Sequence, residues 1–339
     1  MRRQSLTIVL AGVLVLVVAS CGAEVRDSGG GDQGGGTGGK KGPIQLAVVP
    51  RAVGFSFWNQ VRVGAECAAS EHKDVEMQWD GPSSEADVSG QVDLLQNFMT
   101  QGVDGIVYSS IDEKVDAKVT RNALDQGITV TNINTGTKPQ PDNVPLFTTD
   151  QEAATKKLID PLAKAIDEKG KVAVVEFQPG LEANEQRVNP IVEGLKKYPD
   201  IEIVARQSSE SDYNKALSVT ENILTAHPDL DAIFAANEPS VLGAAEAVRN
   251  AGKAGEITIV GWDASSEEVK ALKGDVITAL VAQNPFGMGY KGVNGAVKMI
   301  REGTEVEGGD TGSFLITKEN VSDPEIQSVL DPSCENPPS

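Results

Sequence analysis

The sequence predicts an α/β protein made of two doubly wound parallel-sheet lobes joined by a crossover hinge. Short apolar runs alternate along the chain with stretches of helical period, a pattern typical of parallel sheets covered by helices on both faces. The alternation is interrupted by a polar, proline-rich segment, Thr137 to Pro145, and then begins again. Two successive series of this kind indicate two lobes.

The first series predicts an N-terminal lobe. Strands are predicted at residues 44–49, 75–79, 105–109 and 129–133, and helices at 57–72, 87–101 and 113–126. Right-handed crossovers between such strands produce a parallel sheet. We assign residues 44–147 to this lobe, together with 285–316, where the chain returns to it in a helix at about 286–301.

The second series predicts a C-terminal lobe at residues 148–284. Its predicted helices are 151–168, one ending near Lys197, 212–226 and 238–251, and its strands are 172–177, 201–206, 232–235, 258–262 and 276–281. Residues 317–339 are left as a C-terminal tail. The proline-rich interruption is a loop that crosses between the two halves.

The N-terminus has the parts of a secretion signal. Arg2 and Arg3 precede an apolar stretch at residues 6–18, which ends in Val18-Ala19-Ser20-Cys21. This end resembles the lipobox of bacterial lipoproteins, which implies a signal peptide at 1–20 and a lipid on Cys21 that anchors the protein outside the cell membrane. An ordinary signal peptide with a chance cysteine is the alternative. Residues 21–43 are rich in glycine and predict a flexible tether.

The two other cysteines leave a choice open. If Cys21 is lipidated, only Cys67 and Cys334 remain to pair in an oxidising compartment. A disulfide between them would attach the tail to an early helix. Two unpaired thiols are the alternative, since the sequence does not show whether the residues meet.

Composition and motifs argue against several classes of function. The formal net charge of −19 disfavours nucleic acid and anionic lipid surfaces as partners. No phosphate-binding loop, zinc-protease motif or Cys-x-x-Cys occurs, so we expect no enzyme, metal or cofactor. The spaced glycines at residues 287–292 match a dinucleotide pattern, but they fall inside a predicted helix. We expect them to allow close helix packing.

Polar residues follow several predicted strands in both halves. In doubly wound sheets ligands bind at the carboxyl ends of the strands. The residues at these places are Asn134, Asn237, Asp263 and Gln283. Each alone is usually a turn or cap residue, but their recurrence in both halves indicates a binding site. Phe57 and Trp58, after the first strand, are either core residues or a stacking wall for a sugar ring.

Several short segments of the second half, taken in their order along the chain, resemble the type I periplasmic binding proteins of ABC importers, in the ribose-binding-like sugar branch. The resemblance covers about residues 44–317 and is strongest at Asp212-Tyr213-Asn214-Lys215-Ala216, Ala235-Ala236-Asn237-Glu238, Gly261-Trp262-Asp263 and Ala282-Gln283. It implies a hinged clamp that acts as a monomer, holds a sugar or polyol and delivers it to an ABC permease. The ligand-binding positions it implies are Phe57, Trp58, Asn134, Tyr213, Asn237, Asp263 and Gln283.

Two departures from the ribose-type pattern affect the expected ligand. Asn134-Thr135 stand where that pattern has an Asp-Arg pair, and the position of a sugar-binding arginine falls on Glu185, with Arg187 nearby. Either residue could face the cleft. We therefore expect a neutral pentose, polyol or related compound rather than ribose itself. A sensory lipoprotein of the same fold, binding a quorum signal, is the alternative function, and an enzyme on this scaffold would lack a catalytic set.

Overall fold

The computed structural model of the protein describes residues 39–338. The predicted signal peptide, Cys21 and most of the predicted tether lie outside the described residues. The strands are β1 Ile44–Val49, β2 Val75–Trp79, β3 Gly105–Tyr108, β4 Thr129–Ile133, β5 Leu146–Thr148, β6 Lys169–Glu176, β7 Asp200–Ser208, β8 Ala232–Ala235, β9 Thr258–Trp262, β10 Ala279–Gln283, β11 Gly309–Asp310 and β12 Ser313–Thr317. The helices are α1 Ser56–Ser70, α2 Val88–Gln101, α3 Glu113–Asp125, α4 Gln151–Ala165, α5 Glu182–Leu195, α6 Tyr213–Ala226, α7 Glu238–Asn250, α8 Ser266–Lys273, α9 Pro285–Glu302 and α10 Pro324–Leu330.

The strands form two six-stranded sheets with equivalent topology. The first has the order β11-β5-β4-β3-β1-β2 and the second the order β12-β10-β9-β8-β6-β7. All pairings between these strands are parallel except that of β12 with β10. Buried apolar residues lie on both faces of each sheet. The predicted fold class, two doubly wound α/β lobes, is confirmed.

Local sequence explains where several helices begin. The aspartates Asp87, Asp112, Asp150 and Asp212 each precede a helix, and their side chains accept hydrogen bonds from backbone N–H groups in its first turn. A short carboxylate satisfies N–H groups that have no partner within the helix and favours the positive end of its dipole. These caps place the helix entrances at the carboxyl ends of the strands.

The spaced glycines of α9 allow it to pack closely on α1. A Cβ atom at Gly289 would lie 2.0 Å from the carbonyl oxygen of Val61, and one at Gly64 would lie 2.0 Å from that of Phe286. Real Cβ atoms do not approach a backbone atom so closely, so both positions require glycine. The pattern that resembles a dinucleotide loop therefore serves packing between two helices of the first lobe.

The chain crosses between the lobes three times, after β5, after β10 and between β11 and β12. The third crossing corrects the assignment of residues 285–316 to the N-terminal lobe. Ser313 to Thr317 pair with β10 in the second sheet. The chain leaves β11 at the cavity end of the first sheet and enters the second sheet from its own cavity end, so β12 runs antiparallel to β10. The assignment relied on the alternation of strands and helices, and an antiparallel strand at the edge of a sheet does not follow that alternation.

The predicted C-terminal tail is largely part of the second lobe. Val321, Ile326 and Val329 are buried in its hydrophobic core, beside residues of α7 and β10. The predicted strand at residues 276–281 also begins later than expected, at Ala279, although Val276 and Ile277 are buried. Within residues 39–338 no helix is long and apolar enough to span a membrane.

Candidate functional site

A cavity lies between the two lobes, where the carboxyl ends of their strands face each other. Its volume is about 30 Å³, well below the range of about 300–1,000 Å³ typical of small-molecule sites, so its walls lie close together in this structure. The first lobe contributes Arg51, Phe55, Phe57, Trp58, Glu85 and Asn134 to its walls. The second contributes Phe177, Arg187, Asn237, Glu238, Pro239, Asp263 and Gln283.

The aromatic wall comes from the first turn of α1. The rings of Phe57 and Trp58 meet edge to face, with centroids 4.8 Å apart. Trp58 is 2% exposed and packs in the core of the first lobe, while its Nε1–H donates to Glu85 Oε1 at 2.8 Å. It is therefore a core residue that also lines the cavity. The sequence had presented these two roles as alternatives.

Arg51 and Glu85 form a buried ion pair in the first-lobe wall that sequence reasoning missed. Arg51 Nη2 lies 3.7 Å from Glu85 Oε2 and donates to Gln178 Oε1 of the second lobe at 2.6 Å. Its Nε is buried and has no hydrogen-bond partner within the described part of the chain. Arg51 follows β1 at the carboxyl end of the sheet, so the rule that singled out Asn134 could have found it.

Arg187 is the second guanidinium in the cavity wall. Its Nε donates to Gln151 Oε1 at 2.6 Å and its Nη1 to the Ala236 carbonyl at 2.9 Å, and the group stacks 4.1 Å from the Trp262 ring centre. Burial lowers the pKa of Arg187 to about 10, against the opposing effect of the Asp263 charge. These contacts hold the cation rigidly beside the cavity.

Glu185 does not line the cavity. Its Oε1 accepts a hydrogen bond from the Gly180 N–H at 3.1 Å, within the loop that leads into α5. Residues two positions apart on a helix point in different directions, so Arg187 and Glu185 do not both face the cleft. Of the two candidates, the structure places Arg187 at the cavity.

Three predicted residues form a hydrogen-bonded chain across the hinge. Asn134 Nδ2 donates to Gln283 Oε1 at 3.3 Å, and Gln283 Nε2 donates to Asp263 Oδ1 at 2.7 Å. Asn134 and Asp263 both have left-handed backbone, with φ of +58° and +78°. Residues other than glycine adopt this conformation at an energetic cost, and such residues concentrate at functional sites. The chain links the first-lobe wall to the second.

Asn237 and Tyr213 differ in their relation to the cavity. Asn237 lines it, but its side chain is already engaged: Oδ1 accepts from the N–H and hydroxyl of Ser240, and Nδ2 donates to Ser211 Oγ. It caps α7 and shapes the wall. Tyr213 does not line the cavity, because it lies at the start of α6 with 40% of its surface exposed.

Glu238 connects the lobes directly and was also missed. Its carboxylate accepts hydrogen bonds from the Ser56 hydroxyl at 3.1 Å and the Phe57 N–H at 3.2 Å, at the start of α1. Burial, and then the nearby charge of Asp263, raises the pKa of Glu238 to about 7. Burial likewise raises the pKa of Asp263, which Arg187 opposes. The second-lobe wall therefore carries carboxyls that resist ionisation.

The arrangement suits recognition of hydroxyl groups. Guanidinium groups donate hydrogen bonds, carboxylates accept them, and a sugar hydroxyl can do both. Among the residues that the structure describes, no group of three or more His, Cys, Asp or Glu side chains could hold a metal ion. An aromatic face beside paired donors and acceptors matches a polyhydroxylated ring, which has apolar C–H faces and a polar edge.

Comparison with known proteins gives a consistent picture. The D-allose-binding periplasmic protein of Escherichia coli K12 is 32% identical over 261 residues, covering 74% of this chain and 82% of that protein. The D-ribose/D-allose-binding protein of Pseudomonas aeruginosa is 29% identical over 265 residues, covering 76% and 82%. An ABC transporter solute binding protein from Agrobacterium vitis, solved with D-fucose, has a TM-score of 0.81 at 29% identity, covering 85% of this chain and 100% of that one.

The family model of the periplasmic binding protein domain matches residues 46–305. The match includes every cavity residue described above and, apart from the first two residues of β1, all strands up to β10, while β11 and β12 lie beyond it. The solved relatives superimpose on nearly their whole length, which extends the agreement from sequence to fold. This chain belongs to the periplasmic binding protein family, in the type I, ribose-binding-like branch of sugar-binding proteins.

Proposed function

We propose that this protein is the substrate-binding component of an ABC sugar importer and captures a neutral, polyhydroxylated ring in the cavity between its lobes. The observation that carries the proposal is the pairing of opposite charges within each wall of the cavity: Arg51 with Glu85 in the first lobe, and Arg187 near Asp263 in the second. Such pairs give directional hydrogen bonds to hydroxyls while leaving little net charge to attract an ion.

The apolar part of the ligand would lie against the aromatic wall. Phe57 is half-buried and Trp58 supports it edge-on. A sugar ring covers such a surface with C–H groups, so its burial adds hydrophobic stabilisation to the hydrogen bonds. Asn134-Thr135 supply no charge, and Arg51 provides the guanidinium of the first-lobe wall from the end of a different strand. The replacement of the Asp-Arg pair of the ribose-type pattern by Asn134-Thr135 favours a ligand other than ribose.

Capture depends on closure of the lobes around the ligand. The lobes touch through Arg51–Gln178, through Glu238 with the start of α1, and through an ion pair 2.8 Å long between Lys138 and Glu182. Hinged closure of this kind removes a ligand from water. Its hydrogen bonds to the protein are stronger in the less polar closed cavity. The protein binds and releases its ligand without making or breaking covalent bonds.

The closed form would then present both lobes to a membrane permease. We place the protein outside the cytoplasmic membrane, as a monomer held through lipid on Cys21 and free to reorient on its glycine-rich tether. Labelling cells with a radioactive fatty acid tests the anchor. The label should enter the wild-type protein and be absent from Cys21→Ser.

Titration calorimetry with a panel of sugars tests the proposed function. The panel contains D-allose, D-ribose, D-arabinose, D-fucose and D-tagatose, with gluconate and glucosamine as charged controls of similar size. We expect at least one neutral sugar to bind with micromolar affinity or tighter, and both charged compounds to bind much more weakly. Preference for a charged compound, or no binding by any sugar, would contradict the proposal.

A further inference from the structure

The C-terminal segment is attached to the second lobe by packing. β12 pairs with β10, and the residues that follow, Val321, Ile326 and Val329, are buried in the second-lobe core. Burial of these aliphatic side chains holds the segment on the second lobe. Helix α10 therefore moves with the second lobe.

The same segment is attached to the first lobe by a covalent bond. Cys334 forms a disulfide with Cys67 of α1, with Cα atoms 5.5 Å apart. Cys67 is 3% exposed, and α1 packs tightly on α9 in the first lobe. Gln60 of α1 also donates from Nε2 to the Leu330 carbonyl at the end of α10, at 3.1 Å. The disulfide thus adds a fourth covalent connection between the lobes to the three crossings.

The connecting residues have little slack. From Leu330 to Cys334 there are four residue steps, which span at most about 14 Å when fully extended. Leu330 lies beside Gln60, and Gln60 and Cys67 are seven residues apart on α1, a rise of about 10 Å. The fully extended segment is therefore only about 4 Å longer than that rise along α1.

This short segment lies beside a contact that must part when the cleft opens. Val329 and Leu330 line a small cavity together with Ser56 and Glu238. Glu238 of the second lobe accepts hydrogen bonds from Ser56 and Phe57 of the first. Separation of the lobes at this point pulls Leu330 away from α1, and the disulfide limits that movement.

We propose that residues 331–334, here called the strap, limit the opening of the cleft and hold the ligand-free protein close to its closed form. This inference rests on the proposed function, because it concerns regulation of the same cavity. The measured dissociation constant of a clamp rises as its binding-competent population falls. A strap that excludes wide-open states therefore tightens binding, and reduction of the disulfide loosens it.

Two variants test the strap. Each is made in the full chain with Cys21→Ser, so that Cys67 and Cys334 are the only cysteines of the parent protein. Cys67→Ser/Cys334→Ser removes the disulfide. The second variant keeps the disulfide and inserts Gly-Ser-Gly-Ser between Pro332 and Ser333, which restores slack. The matched control inserts the same four residues between Glu335 and Asn336, beyond the strap. Small-angle X-ray scattering measures the radius of gyration, and calorimetry measures D-allose binding.

We expect both strap variants to have a larger radius of gyration than the control without ligand and to bind D-allose about two- to tenfold more weakly. The control should match the parent. An unchanged radius of gyration and affinity in the variant with the insertion after Pro332 would contradict the proposed role of the strap. This variant remains the test if the serine variant is unstable. If no sugar of the panel binds, the proposed function fails, whereas the radius of gyration still tests the strap.

Discussion

The two lobes share one topology but supply different chemistry to the cavity. Their sheets have equivalent strand orders, and both place a residue with left-handed backbone at the cavity, Asn134 in the first lobe and Asp263 in the second. The first-lobe wall combines aromatic rings with the Arg51–Glu85 ion pair. The second-lobe wall is dominated by buried ionisable groups.

This difference shows what topology does and does not specify. A doubly wound sheet brings the residues after its strands to one edge, so the location of the site follows from strand order in either lobe. The side chains at that edge are set independently in each half. We infer that aromatic contact with the ligand comes mainly from the first-lobe wall, whereas both walls supply hydrogen bonds.

The largest expected effect comes from the second-lobe cation. Arg187→Ala leaves Asp263 without its nearby positive charge and removes a rigid donor. Loss of one member of a buried charge pair costs about 2–5 kcal/mol, so we expect D-allose binding at least about thirtyfold weaker by calorimetry. Arg187→Lys keeps the charge but not the planar donor geometry, and should give an intermediate loss.

Glu185→Ala and Tyr213→Ala are the matched controls. The sequence predicted both residues to bind the ligand, but they lie outside the cavity, and neither change should alter affinity more than about twofold. A loss in either control as large as that of Arg187→Ala would show that the wrong residues have been placed at the ligand.

An intermediate effect is expected in the first-lobe wall. Trp58→Phe keeps an aromatic ring but removes the Nε1–H that donates to Glu85. A buried acceptor that loses its partner costs about 1–3 kcal/mol, so we expect roughly tenfold weaker D-allose binding and a lower free energy of unfolding. Complete removal of the ring, in Trp58→Ala, would also open a cavity in the core and confound binding with folding.

Trp79→Phe provides the control for that change. Trp79 lies in β2, packs against the same hydrophobic core and does not line the cavity. Its replacement should lower the free energy of unfolding without weakening D-allose binding. If both substitutions weaken binding equally, the aromatic wall acts only through the stability of the lobe.

The smallest effect concerns the contact between the lobes at Glu238. Its pKa of about 7 lies above the value of 4.5 for an exposed glutamate, so the native protein binds more protons than the unfolded chain between these values. The contribution of Glu238 to the free energy of unfolding is thus highest below about pH 4.5 and falls as the pH rises through about 7. Other raised carboxyls add to the same trend.

Urea unfolding at pH 5 and pH 8 measures this contribution. Glu238→Gln mimics the neutral carboxyl, so its free energy of unfolding relative to wild type should rise by about 1–3 kcal/mol between pH 5 and pH 8. Glu246→Gln is the control for the loss of one carboxyl on the same helix. If the free energies of unfolding of the two variants depend on pH in the same way, Glu238 does not make the predicted contribution to the pH dependence of stability.

Most helices and strands could be predicted from the sequence, because the apolar periodicity of buried parallel strands is local, but β5, α8 and α10 were not predicted. The predicted α1 and β4, for example, lie within a residue or two of the observed ones. β11 and β12 could not be found in this way. They are short edge strands whose pairing depends on which sheet the chain meets after crossing the hinge.

The site was predictable where topology alone determines position. Asn134, Asp263 and Gln283 follow or end strands, and the structure joins them in one hydrogen-bonded chain. Glu85 lies in a loop far from any strand end of its own, and Glu238 reads as a helix residue in the sequence. Glu85 reaches the cavity through its contacts with Trp58 and Arg51 of the same lobe. Glu238 meets Ser56 and Phe57 only because the two lobes approach each other.

The sequence by itself determined that this chain forms two α/β lobes with a polar site at their facing edges, because strand periodicity and strand-end residues are local features. Only the tertiary structure decided which residues face the cavity and how the lobes are connected. Helical phase places Arg187 rather than Glu185 at the cavity, and the pairing of Cys67 with Cys334 depends on two segments 267 residues apart in sequence. Such long-range contacts arise from packing, which no local pattern encodes.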